Sequence, residues 1–160
     1  MVTFSSTGVS FDSAPDHFAT NGFDHIEPYV SRLLEPATRL KSVHLFTPDG
    51  NRGFCFAAQD GMVKAGLTVE WRQEAEREKA IRAFFGSRGI APTLDSLVGN
   101  GGGPDAIHIL EYPISGSTAE VTSLTKRILQ ESCDVAPTGA LDIKYNTCQR
   151  HRSRVRESPA

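Results

Sequence analysis

The residues of this 160-residue chain best suited to chemistry are five histidines, three cysteines and one run of glycines. Histidine changes charge near neutral pH and is the side chain most often recruited to move protons. His17 and His25 stand near the N-terminus, His44 and His108 in apolar stretches of strand character, and His151 near the C-terminus. None belongs to a His-x-x-x-His pair, and no Gly-x-Ser-x-Gly elbow presents a serine nucleophile. Strand alternation places His108 on one face with Leu110 and Tyr112, and Glu111 on the other. Cys55, Cys133 and Cys148 show no Cys-x-x-Cys spacing. Cys55 within Phe54-Cys55-Phe56 and Cys133 at a helix end read as small buried hydrophobes, while basic neighbours make Cys148 the most reactive of the three. Neither a metal nor a cofactor is expected.

Gly99-Asn100-Gly101-Gly102-Gly103-Pro104 must be a loop, because no regular element keeps four glycines in five positions. The amides of such a loop hold phosphate when it leaves a strand and opens a helix. This one leads into a strand and has no Lys-Ser/Thr behind it, so it reads as a connector or lid; as a ligand loop it would act through Asn100. Trp71, the only tryptophan, stands at a strand-to-helix junction, where such a ring closes a core or anchors a partner. Glu70, Glu74, Glu76 and Glu78 are interleaved with Arg72, Arg77, Lys79 and Arg82. That is a solvated helix face with pairs such as Glu78 and Arg82, not a metal site.

The elements that must position these groups follow from periodicity. Residues 1–23 show no sustained period and read as a flexible or docked arm. Asp24 and Glu27 have the spacing of a capping box, followed by a stripe of Ile26, Tyr29, Val30, Leu33 and Leu34 that Pro36 ends. Lys41–Thr47, Gly53–Gln59 and Val63–Trp71 read as an antiparallel meander with turns at Pro48–Asn51 and Asp60-Gly61. Its first strand is expected to be an unpaired edge. Gln73–Arg88 is helical, with Gly89 placed as its C-cap, and Thr93–Val98 reads as one short turn capped by Thr93. Ala106–Ile114 is apolar on both faces and reads as a central strand. Ser117 and Glu120 form a capping box for a helix ending near Cys133, and Leu141, Ile143 and Tyr145 alternate as a last strand. The order α-βββ-α-β-α-β implies an α+β two-layer sandwich: a mixed sheet of about five strands, parallel across each strand–helix–strand crossover, with helices mainly on one face.

The formal net charge of −2 excludes a globally basic nucleic-acid binder. It is a sum over unlike parts, because Arg150, Arg152, Arg154 and Arg156 together with Glu157 give the last thirteen residues +3 and leave −5 on the rest. Residues 24–146 read as one α+β domain and 147–160 as a disordered basic tail, the sole route to weak nucleic-acid contact. No apolar run is long enough for a membrane helix and no basic, apolar leader opens the chain, so a cytoplasmic protein with no membrane partner is expected. With no nucleophile–base or metal constellation, the favoured function is a noncatalytic binding or regulatory module acting through protein contact or self-association. The alternative is a small enzyme or ligand-binding protein with a pocket near His108, Glu111 and Asn100; Trp71 is the candidate partner anchor.

Overall fold

The computed structural model describes residues 9–11, 16–36, 40–59, 61–99 and 105–148. The strands are β1 (Val9–Phe11), β2 (Asp16–Phe18), β3 (Leu40–Phe46), β4 (Gly53–Gln59), β5 (Met62–Glu70), β6 (Leu94–Val98), β7 (Ile107–Ile114) and β8 (Leu141–Cys148). The helices are α1 (Glu27–Leu34), α2 (Ala75–Gly86) and α3 (Thr118–Arg127), with a 3-10 turn at Gly22–His25 and a π turn at Ile128–Ser132. The chain is α+β, with one open sheet in the order β1-β8-β3-β4-β5-β7-β6 and β2 beside β1 on β8. Every described pairing is antiparallel.

Alternation builds the core. Val43 and Leu45, Phe54 and Phe56, Ala65 and Leu67, Leu110 and Tyr112, and Leu141 and Ile143 are all buried on one face of the sheet. They join Val30 and Leu33 of α1, Ile81 and Phe85 of α2 and Val121 of α3 in one apolar cluster. Among the described ring pairs the shortest centroid separation is that of Phe85 stacked on Tyr112, 3.8 Å. Ser117 caps α3 through the expected capping box, its side chain accepting from the Glu120 amide while Glu120 reaches back to the Ser117 amide. Gly89, at φ +69°, closes α2 as expected: its amide donates to Gly86 and that of Ile90 to Phe85, both at 3.0 Å. The meander hairpin also agrees, since Gln59 faces Met62 across two residues.

Several expectations need correction. The mixed, five-stranded sheet is instead antiparallel and seven strands wide, because the N-terminal arm contributes β1 and the segment expected as a turn at 93–98 contributes strand β6. Its insertion reverses β7 relative to β5, so these neighbours are antiparallel. The crossovers still join strands of like direction, β5 to β6 and β7 to β8, but those pairs are not adjacent. The segment 41–47 is no edge: β3 lies between β4 and β8. Asp24 does not cap α1; it lies in the 3-10 turn, and Ile26 precedes the helix without a side-chain cap. Within the arm expected to be flexible or docked, Val9–Phe11 and Asp16–Phe18 form β1 and β2, both paired to β8. His17 is bonded to Asp142, and the Phe18 ring stacks on His25 at 3.9 Å. No described helix is long and apolar enough to cross a membrane.

Truncating Phe85 removes the central ring of the α2–sheet contact, so Phe85→Ala is expected to cost about 3–5 kcal/mol, whereas Ser117→Ala should cost about 1 kcal/mol. Urea unfolding midpoints at constant m-value measure both, and near-equal losses would contradict the packing described.

Candidate functional site

The four site candidates do not converge. Trp71 is half-buried at the end of β5, where its amide donates to Ala106 at 3.0 Å and the Arg72 guanidinium lies 4.7 Å from its ring centroid. Asn100 lies outside the described residues, as do residues 101–104 of the glycine run and 149–160 of the basic tail. His108 and Glu111 stand on opposite faces of β7, as strand alternation requires. His108 is opposite Val69 on the helix-covered face, and Glu111 is opposite Gly66 on the uncovered one.

His108 belongs to a charged bracket that sequence reasoning resolved only in part. Its Nε2 is bonded to Asp95 Oδ1, and its Nδ1 lies 2.6 Å from Glu78 Oε1 without an aligned hydrogen bond. Arg82 joins both carboxylates. It donates to Asp95 at 2.8 and 3.1 Å and to Glu78 at 2.9 and 3.3 Å. The Glu78–Arg82 pair was legible as an i,i+4 spacing. Asp95 was not, because its contacts depend on β6 lying beside β7. Hydrogen bonding to Arg82 holds the Asp95 carboxyl down to about 2, and Arg82 is raised in turn. A bidentate fork of this kind fixes orientation as well as charge. It ties β6 to α2, and it leaves the polar atoms of His108 facing partners within the chain.

The uncovered face carries a second polar group. A cross-strand row runs Lys144, His44, Cys55, Gly66, Glu111, Leu94. Burial, with Lys144 adding to it, pushes His44 below its ordinary value; burial and Glu111 push the Cys55 thiol up. Burial likewise raises Cys133 to about 11, so both thiols are protonated at neutral pH and read as the inert cysteines expected. The side chain of Cys148 is outside the description. Ser42 Oγ lies 3.3 Å from His44 Nε2 and accepts from Asn146 at 2.7 Å. This nucleophile–base pair was missed, although an i,i+2 spacing on a strand could have revealed it. No carboxylate orients His44 among the described residues, so the chain Asn146–Ser42–His44 satisfies polar groups without activating the serine.

The remaining feature is apolar. Leu94, Leu97 and Val98 of β6 and Ile107 of β7 are 40%, 43%, 51% and 38% exposed. Among the described residues, strand β6 has only β7 as a neighbour, so these side chains flank a backbone edge that no described strand pairs. No group of three metal-ligating side chains is found among the described residues. No protein-family model, curated protein or solved structure matches the chain.

Because Asp95 titrates at about 2 in the fold against an ordinary 3.8, its contribution is complete above pH 3.8 and disappears as pH falls through about 2. Asp95→Asn should therefore lower stability at pH 6 by up to about 1 kcal/mol, the half-exposed pair being solvent-screened. Thermal midpoints of both proteins should converge as pH falls from 3.8 towards 2; a gap of constant size would show that charge plays no part.

Proposed function

We propose that this chain is a noncatalytic binding module that acts by protein contact, self-association included, through the apolar strip of β6 and β7. The observation that carries the reading is the coincidence of a strand edge unpaired among the described residues with exposed apolar side chains, Leu94, Val98 and Ile107 on the uncovered face and Leu97 on the other. Edge strands of monomeric proteins are normally blunted by lysine, proline or a bulge. β6, Leu-Asp-Ser-Leu-Val, has no lysine or proline, and its register against β7 runs without a shift. Its one charge is engaged by Arg82 and His108. Apolar surface grouped in this way marks an interaction site more often than scattered exposed residues do. Trp71 and Ala106, joined through the backbone, stand beside Ile107 and extend the same end of the sheet.

An enzyme or ligand-binding reading around His108, Glu111 and residues 99–104 has weaker support, since those two side chains point apart and the ring nitrogens of His108 face Asp95 and Glu78. The two-layer arrangement, with α1, α2 and α3 on one face, goes with a module whose other face and outer edge are available for contact. A cytoplasmic setting goes with it too, supported by the free thiols of Cys55 and Cys133.

The double variant Leu94→Lys, Val98→Lys, which puts charge on the uncovered face of the edge strand, tests the reading by sedimentation over a concentration series. The wild type is expected to gain mass with concentration and the variant to remain a monomer, with an unfolding midpoint within about 0.5 kcal/mol of wild type. If both sediment as the same species throughout, the strip is not the contact surface.

A further inference from the structure

The geometry points to a second copy of this chain as the occupant of the β6 edge, paired antiparallel to β6 about a two-fold axis through Ser96. This inference rests on the protein-contact reading above and specifies its partner and register. The two edges of the sheet are not equivalent. On β8, the outer edge is closed by β1 over Asn146–Cys148 and by β2 over Leu141–Ile143 of the same chain. A head-to-tail joint of β6 onto β8 would have to displace both. Of the two ends of the described sheet, β6 alone is a bare edge of five residues. Pairing it with itself makes an isologous interface, which closes at two copies instead of growing into a fibre.

Register follows from side-chain direction and charge. A two-fold axis perpendicular to the sheet keeps the helix-covered faces together, and directly opposed residues share a face. The axis must therefore pass through a residue position and not between two. An axis at Asp95 would set Asp95 against its own copy, a like-charge pair. An axis at Leu97 would leave Leu94 without an opposite residue in the strand. An axis at Ser96 pairs all five residues: Leu94 with Val98 of the second copy, Asp95 with Leu97, and Ser96 with itself. Leu94 and Val98, among the most exposed large apolar side chains described, then cover one another beside Ile107 and Ile109. Each Asp95 stays engaged with Arg82 and His108 of its own chain and opposes an uncharged residue. The formal net charge of −2 per copy adds little long-range repulsion.

Disulfide trapping reads the register directly. In a Cys148→Ser background, Ser96→Cys places two thiols on directly opposed residues, with Cα atoms about 5 Å apart and within the span a disulfide requires. Mild oxidation should convert most of the full-length chain to a covalent dimer. Leu94→Cys alone should not cross-link, since its two copies lie about 13 Å apart at ~3.4 Å per residue. An equimolar mixture of Leu94→Cys and Val98→Cys chains should give the mixed dimer, and it serves as the second route if Ser96→Cys folds poorly by circular dichroism. If association is lost in the Leu94→Lys, Val98→Lys variant, whose lysines would oppose one another in this register, but neither trap forms, the strip is a contact surface and the Ser96-centred pairing is wrong. Trapping of Leu94→Cys with itself would also overturn the register. If the wild type is a monomer at every concentration and no trap forms, both readings fall.

Discussion

A sheet ends in two strands whose outer amides and carbonyls lack a ladder partner, and such groups must be hydrogen-bonded, hydrated or covered. The whole architecture depends on how this chain meets that constraint. At one edge, β8 is capped by two three-residue pieces of the N-terminal arm, fixed by the His17–Asp142 contact and the Phe18–His25 stack. Strands so short add little apolar burial, and their value lies in backbone pairing and in shielding β8. At the other edge, no described segment covers β6 in this way, and the strand carries apolar side chains instead. One sheet thus has a closed side and an open side, and the asymmetry is what gives the candidate interface a direction.

Helix α2 makes that open edge rigid enough to serve. Phe85 stacks on Tyr112 of β7, which fixes the helix above the strand next to the edge. One turn earlier, Arg82 reaches outward to Asp95 of β6, and Glu78 and His108 complete the bracket. Near the start of the helix, Arg77 donates to carbonyls of Thr68 and Ser132, which ties the same helix to β5 and to the π turn. Apolar stacking sets the distance between helix and sheet, while the charged contacts set the rotation of the helix and the position of β6. A bare edge strand without such a brace would fray, since a five-residue strand paired on one side only has few native contacts to lose.

The sequence made the sealed parts of the fold readable and the unsealed parts not. Strands β3, β4, β5 and β8 alternate because one face of each is buried, β7 is marked by an apolar run on both faces, and α2 and α3 carry periodic stripes and local caps at Ser117 and Gly89. β6 has neither face sealed, so alternation was never required of it. Its apolar residues at 94, 97 and 98 happen to have the i, i+3, i+4 spacing of a helical turn, and Thr93 resembles a cap. β1 and β2 are held by pairing with residues more than a hundred positions away, a contact that local pattern does not encode. The same blindness applied to the site. Glu78 and Arg82 share a helix turn and were legible as a pair, whereas Asp95 and His108 join them only through sheet order. Missing β6 also moved the expected free edge to β3, which is in fact enclosed.

The location of charge connects the fold to the proposed role. Arg52 pairs with Asp134, Arg77 with Glu74, Arg88 with Glu131, and Arg82 with both Glu78 and Asp95. The described arginines in these pairs are directed at the chain's own carboxylates, on helices, turns and the helix-covered side of β6. Around Leu94, Val98 and Ile107 on the uncovered face, the only described charges in adjacent register positions are Glu70 and Glu111. These two carboxylates stand at the margin of the apolar strip, and their cost to a self-pairing is set by how far each lies from its copy. Glu111 lies one strand in from β6 and Glu70 two, so in an antiparallel pair the nearer group, Glu111, is still three strand spacings from its copy, at ~4.8 Å each. At that separation of about 14 Å, beyond the Debye length of physiological salt, the repulsion is largely screened, and desolvation of Leu94 and Val98 decides whether the edges join.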